Sequence, residues 1–322
     1  MLVRSLALVA FALVPALVLS GCITPDMLQK NAAPAAQQQH VAPPVDRIDG
    51  MTADVQTKDT PIDCASGTIP LPTSSCMQRE VTATGRIGES KLPVTLIGNN
   101  GAISILADDA ADSDAWSFHA VVKVSAATPD DAKRTLDVAW SWSHTDGTSH
   151  FLRAGPNNTN VPVLGPQVTS VRYEVILPAW IVATVSAHTT NGPIKIGGIT
   201  SDKLDLLTTN GPVSVQAPVQ DAYVSTTNGG ITLQGEPIAS GKLDLRTTNG
   251  PVTLAVPERA ANGYDVDAKT TNGRVSILLH DGTADPAEKT HASFKSNAYD
   301  ARAIRTVVAI GTTNGGVTVG SE

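Results

Sequence analysis

The phrase Thr-Thr-Asn-Gly occurs six times in the second half of this chain, beginning at Thr189, Thr208, Thr226, Thr247, Thr270 and Thr312. Each copy is followed by one variable residue and then an apolar–polar–apolar trio, as in TTNGPIKI, TTNGPVSV and TTNGGVTV. From Asn191 to Asn210, Asn228, Asn249 and Asn272 the steps are 19, 18, 21 and 23 residues, and the last step, to Asn314, is 42. A period near twenty is the mark of a repeat architecture whose units stack. The long last step leaves room for two coils, one with an eroded copy.

Asn-Gly between apolar alternations ordinarily signals a hairpin. A hairpin turn Thr-Asn-Gly-X is closed by the N–H of X bonding back to the Thr carbonyl. In three copies X is proline, at Pro193, Pro212 and Pro251, which has no N–H to donate. A corner between two strands of one coil needs no such bond and accepts proline as the first residue of the next strand. Glycine is expected there for the positive φ of a corner.

The fold class expected is therefore all-β. A C-terminal parallel β-solenoid occupies residues 181–322, with about seven coils of roughly 20 residues, and a small β-rich domain over 76–180 precedes it. Each coil reads as strand, corner, strand and variable return loop. Parallel stacking places Asn191, Asn210, Asn228, Asn249, Asn272 and Asn314 in one corner ladder, with side chains bonding to each other as in cross-β stacks. A single coil buries too few apolar side chains to offset the ordering of its backbone, so coils must stack. The segment from Asp281 to Tyr299 departs from the pattern and reads as an insertion in the penultimate coil.

VRYEVILPAW leading into TTNGPIKI, with the repeats behind it, looks like the bacterial putative-adhesin family, an envelope family built on a domain of unknown function with T-x-N-G-x-[IV]-x-[IV] coils. The likeness covers roughly residues 165 to 322. It implies a β-solenoid and an adhesin-like role, and it brings no catalytic residues to carry over.

The N-terminus reads as an export signal over residues 1–21. Arg4 supplies the positive charge, and the apolar run from Leu6 to Leu19 is 14 residues long, too short for a comfortable membrane span. It ends in Leu19-Ser20-Gly21-Cys22, which resembles the lipobox of bacterial lipoproteins. The resemblance implies cleavage before Cys22, acylation of its thiol with palmitate-type chains, and anchoring to a membrane through the lipid. Ile23, where an aspartate would favour the inner membrane, implies an outer-membrane address. Residues 22–75 read as a flexible tether, rich in Ala, Pro and Gln at its start, with a disulfide loop at its end. Cys64 and Cys76 are the remaining pair, and in an exported chain they are expected to form that disulfide.

The chain has 322 residues, 41% hydrophobic but only 4% aromatic, so its core must rest on Val, Ile, Leu and Ala. A net charge of −7 without a basic block argues against nucleic acid as a partner. In the 76–180 segment, TPDDAKRTL reads as a helix capped by Thr128 with Pro129 at its first position. The flanking stretches, LDVAWSWSH included, read as strands. SWSHTDGTSHF reads as a hairpin on Asp146-Gly147, with Trp142 opposite Phe151.

Candidate chemistry is sparse. Asp108, Asp109, Asp112 and Asp114 lack the spacing of a calcium loop. His144, Asp146 and His150 would point to opposite faces of the expected hairpin, away from a shared zinc ion. Trp116, Trp140 and Trp142 fit core packing better than a sugar platform. The outward trio positions Lys195, Ser214, Thr232, Thr253, Ser276 and Thr318 do not suit acid–base work. The sequence thus points to no catalytic residue, cofactor or metal, and to a lipid-anchored envelope protein with a structural or binding role toward glycan or envelope proteins. Two other readings are an envelope-stress or regulatory module and a carbohydrate-active enzyme using Asp112, Asp114 and Trp116.

Overall fold

The computed structural model describes residues 50–64, 75–108, 110, 113–146, 149–157, 167–284 and 289–322. The first strand, β1 (Asp54–Ile62), lies in the stretch expected to be tether. It pairs antiparallel with β2 (Ser75–Arg86) along its whole length, from Asp54↔Thr84 to Ile62↔Cys76. Most of its residues are exposed, so it carries no apolar alternation to reveal it. Backbone pairing and the fork of Arg79 onto Asp59, at 2.8 Å on both oxygens, hold it instead.

Next come β3 (Lys91–Ile97), β4 (Ile103–Asp108), β5 (Ala115–Ala126) and the helix α1 (Pro129–Ala139). The Thr128 hydroxyl accepts from the Asp131 N–H at 3.1 Å, and Asp130 and Asp131 sit in the first turn, where acids complement the helix dipole. The helix runs further than the sequence suggested, continuing through Asp137, Val138 and Ala139. Ala132, Thr135, Leu136 and Ala139 share one buried face, the spacing of three and four that a helix aligns. The strand starts only at Trp140.

That strand, β6 (Trp140–Thr145), pairs with β7 (His150–Pro156) in a register that differs from the expected one. Trp142 faces Ala154, not Phe151, and Thr145 faces His150. Asp146 widens the turn: its carboxylate accepts from the Ser149 N–H at 2.8 Å, as Asx side chains do. β8 (Gln167–Pro178) then leads into the repeat.

The repeat strands come in pairs, each long then short. They are β9 (Val182–Asn191) and β10 (Ile194–Gly197), β11 (Thr200–Asn210) and β12 (Val213–Gln216), β13 (Val219–Asn228) and β14 (Ile231–Gln234), β15 (Gly241–Asn249) and β16 (Val252–Val256), and β17 (Asn262–Asn272) and β18 (Val275–Leu278). A hairpin cap follows, β19 (Gly282–Ala284) and β20 (His291–Ser296), with β20 antiparallel to β17. The last pair is β21 (Ile304–Asn314) and β22 (Val317–Ser321).

All long strands join one eleven-stranded sheet and all short ones another, and the stack runs parallel and in register through the repeat. The fold is all-β and solenoid-like. Inward rows such as Ile194, Val213, Ile231, Val252 and Val317 on the short strands, and Val185, Leu204, Ala222, Leu243 and Val308 on the long ones, are all buried. The segment 76–180 supplies strands to both of these sheets: β3 pairs parallel with β9, and β4 with β10. The pair β3–β4 is therefore a coil in its own right beside the six Thr-Thr-Asn-Gly coils, and β7 and β8 pair parallel with it on its other side.

Among its described residues the 42-residue step holds no eroded coil. It holds the hairpin cap, after which the chain doubles back. The pair β21–β22 inserts between β15–β16 and β17–β18, so the last coil in sequence is the last but one in space.

Candidate functional site

The Thr-Thr-Asn-Gly corners stack into one continuous edge. Asn272 donates its side-chain amide to Asn314 (2.8 Å), Asn314 to Asn249 (2.7 Å), Asn249 to Asn228 (2.8 Å), Asn228 to Asn210 (2.6 Å) and Asn210 to Asn191 (2.5 Å). Asn191 in turn donates to Asn100. Asn100 sits in Asn99-Asn100-Gly101-Ala102-Ile103-Ser104-Ile105 at the corner of the first coil. Its corner lacks the threonine pair, which hides it from a motif search. The Asn-Gly step followed by an apolar–polar–apolar trio was the signal present.

A second ladder runs inside the first. The leading threonine of every Thr-Thr-Asn-Gly corner is buried, and its hydroxyl donates to a glycine carbonyl of the neighbouring coil. These bonds run from Thr189 to Gly101, Thr208 to Gly192, Thr226 to Gly211, Thr247 to Gly229, Thr312 to Gly250 and Thr270 to Gly315, at 2.8–3.1 Å. A third runs through the backbone, where Gly192, Gly211, Gly229 and Gly250 donate N–H to the carbonyls of Asn210, Asn228, Asn249 and Asn314 at 2.9–3.1 Å. The buried threonine oxygen thus satisfies a carbonyl that a corner would otherwise leave unpaired.

The glycine is required for a different reason from the one its sequence context suggests. Of the six corner glycines only Gly192 has a positive φ, at 157° and close to extended. A Cβ on Gly211, Gly229, Gly250 or Gly315 would lie 1.9–2.2 Å from the glycine carbonyl oxygen of the adjacent coil. Close approach of one backbone to the next selects glycine here.

The other candidates resolve into structural roles. Cys64 and Cys76 are joined as a disulfide, with Cα atoms 5.2 Å apart; Cys22 lies outside the described residues, as do Asp109, Asp112 and Gly147. Arg86 Nε lies 2.8–2.9 Å from both oxygens of Asp114, and this holds the Asp114 carboxyl below the usual carboxylate range. Asp108 Oδ1 accepts from the Ala110 N–H at 3.1 Å. Trp116 is buried and donates to the Thr52 carbonyl at 2.9 Å, and Trp140 is buried and donates to Tyr173 Oη at 2.8 Å. Trp142 packs against both Phe118 and His144, with ring centroids at 5.2 and 5.6 Å. The tryptophans form one end of the core and present no open ring face as a trio.

His150 Nδ1 is bonded to Glu89, while His144 lies against Trp116 and Trp142. Burial lowers the His144 pKa, and the nearby His150 lowers it further. Among the described residues no group of three His, Cys, Asp or Glu side chains converges as a metal site.

The two outer sheet faces differ. The short-strand face carries the row Lys195, Ser214, Thr232, Thr253, Thr318 and Ser276 in register. The long-strand face carries charges that answer each other along a strand or across to its neighbour. Asp244 binds Arg246 at 2.7 Å, and Asp267 binds Lys269 at 2.8 Å and His291 of the cap at 2.8 Å. Near the capped end, Glu258 accepts from the backbone amides of His280 and Asp281 at 3.0–3.2 Å, which ties down the return loop. These acids serve as staples of the scaffold.

Fold and edge together define a repeat scaffold: two sheets, parallel through the repeat, stitched at one corner by hydrogen-bond ladders. The chain belongs to the Toastrack DUF4097 family, whose model matches residues 137–320. Among solved structures it is similar to one described as a "putative cell adhesion protein" from Clostridium sporogenes, at 13% identity and a TM-score of 0.41, over 75% of this chain and 99% of that one. It is also similar to one described as a "putative adhesin" from Bacteroides fragilis, at 11% identity and a TM-score of 0.28, over 74% of this chain and 96% of that one. No curated protein matches the chain.

Proposed function

We propose that the protein is a non-enzymatic, lipid-anchored envelope scaffold. In this reading the chain is cut before Cys22, the cysteine carries palmitate-type acyl chains, and residues 23–49 tether the solenoid to the outer membrane. The solenoid then serves as a stiff, adhesin-like element whose flat faces contact envelope glycan or envelope proteins. The observation that carries this reading is the unbroken asparagine ladder from Asn100 to Asn272. It is a device for rigidity, set beside a face dominated by Ser and Thr, and the acids and histidines around it are occupied with structural partners. Against the reading as a carbohydrate-active enzyme, Asp114 is engaged by Arg86 and Trp116 is buried.

Two measurements test the proposal. Radiolabelled palmitate should enter the wild-type chain and not the Cys22→Ser variant, and the variant should leave the membrane fraction. The purified chain from residue 23 onward, immobilised, should retain glycan or protein from solubilised envelope. Absence of label on wild type sinks the anchor, and absence of any retained partner sinks the binding role.

A further inference from the structure

Eight Asn-Gly steps occur in this chain, at Asn100, Asn191, Asn210, Asn228, Asn249, Asn262, Asn272 and Asn314. Asn-Gly is the dipeptide most open to spontaneous deamidation, because the glycine nitrogen can reach the asparagine side-chain carbon unhindered by a Cβ. The ladders treat these steps unequally. At Asn210 the side chain donates to Asn191 and accepts from Asn228, and the Gly211 N–H is spent on the Asn228 carbonyl. Asn191, Asn228 and Asn249 are held in the same way. Asn262 is buried, with its amide directed at the Pro257 carbonyl. Asn100 and Asn314 keep both side-chain bonds.

Asn272 ends the array. Its amide donates to Asn314, but among the described residues nothing donates to its oxygen and the Gly273 N–H has no partner. It is also exposed to water. We propose that Asn272 is the deamidation site of the folded chain. The Gly273 nitrogen gives its proton to water and attacks Asn272 Cγ. A C–N bond forms, the Cγ–Nδ2 bond breaks, and Nδ2 leaves as ammonia. Water then opens the five-membered imide to aspartate or isoaspartate, with no change of oxidation state. The conversion replaces the donor facing Asn314 with an acceptor, so the coil β17–β18 loses its ladder bond with age while the interior coils keep theirs.

The test is to incubate the purified full chain at mildly alkaline pH, digest it, and follow the amide-to-acid mass change at each Asn-Gly step. Asn272 is expected to convert about tenfold faster than Asn210, Asn228 and Asn249, equivalent to ~1.4 kcal/mol in the barrier. In denaturant the four rates should converge, since only the folded ladder separates them. The proposal is overturned if Asn272 converts at the interior rate in the folded chain, or if its lead persists unchanged in denaturant. As a second measurement, Asn272→Gln should remove the fast phase and leave the interior rates as they were; a fast phase that survives also overturns it.

Discussion

Asn314 Nδ2 lies 2.7 Å from Asn249 Oδ1, although 65 residues of chain separate them. The bond exists because the C-terminal coil returns over the hairpin cap and enters between two coils already laid down. Asn314 accepts from Asn272 at the same time, so it is the keystone of that end of the ladder. Replacing it with alanine removes one donor and one acceptor interaction. Each such bond contributes about 0.5–1.5 kcal/mol net, so Asn314→Ala should destabilise by about 1–3 kcal/mol in urea titration. Asn272→Ala, with one bond to lose, should cost about half as much. A double-mutant cycle on Asn249 and Asn314 should give a coupling of at least ~0.5 kcal/mol. Additive single effects would mean that the observed contact contributes nothing.

Much of this scaffold was legible in the chain, and what was not has physical reasons. The corner motif repeats in register, so the coil, the column of asparagines and the need to stack could be read directly. The order of coils could not. Every corner offers the same hydrogen-bonding groups, so nothing local tells Asn249 whether Asn272 or Asn314 will lie above it. Only the 42-residue step hinted at a detour. Strand β1 escaped because an exposed edge strand needs no apolar face, and the extension of α1 to Ala139 escaped because its residues also alternate passably as a strand. The corner motif marks the glycine, but its neighbour's carbonyl, and not its own φ, excludes a side chain. That distinction depends on inter-coil distances that no single coil contains.

The glycine argument separates two substitutions that look alike on paper. A Cβ at Gly229 would stand 2.0 Å from the Gly211 oxygen, so Gly229→Ala must push the two coils apart and strain the Thr247 bond to the Gly229 carbonyl. A cost of about 3 kcal/mol or more is expected, at the upper end of overpacking effects. Gly311 lies on β21 with nothing within 4 Å of a Cβ. There alanine should be neutral or stabilising by about 0.5–1 kcal/mol, since glycine inside a strand carries that entropic penalty. Equal melting shifts for the two variants would refute the close-approach account.

The disulfide lies just past the end of β1, next to the Ile62↔Cys76 pair at the start of β2. Crosslinks of this loop length contribute about 3 kcal/mol in the chain-entropy account. Reduction should therefore loosen β1, whose residues are mostly exposed, before it affects the repeat. Hydrogen exchange after reduction should rise in residues 54–62 while the amides of β11 and β13 stay protected. Uniform loss of protection would show that the edge strand and the solenoid open as one unit.

Acid should weaken the fold in two steps, and the upper one belongs to His144. Its pKa lies below the ordinary 6.5, first because it is partly buried and second because His150 is near. The folded chain therefore binds this proton less readily than the unfolded chain, and stability falls as pH drops below that value. The rings of Trp116 and Trp142, at 6.1 and 5.6 Å, are the neighbours that a charged imidazole would disturb. Carboxylates supply the lower step: hydrogen bonds from Arg79 to Asp59, from Arg86 to Asp114 and from Lys269 to Asp267 hold these pKa values below the ordinary 3.8, so their contributions are present above that value and lost as pH falls through the folded pKa values. Urea midpoints measured across pH should decline in both windows for the wild type. His144→Phe should flatten the upper window and leave the lower one, whereas an unchanged upper decline would assign that step to another group.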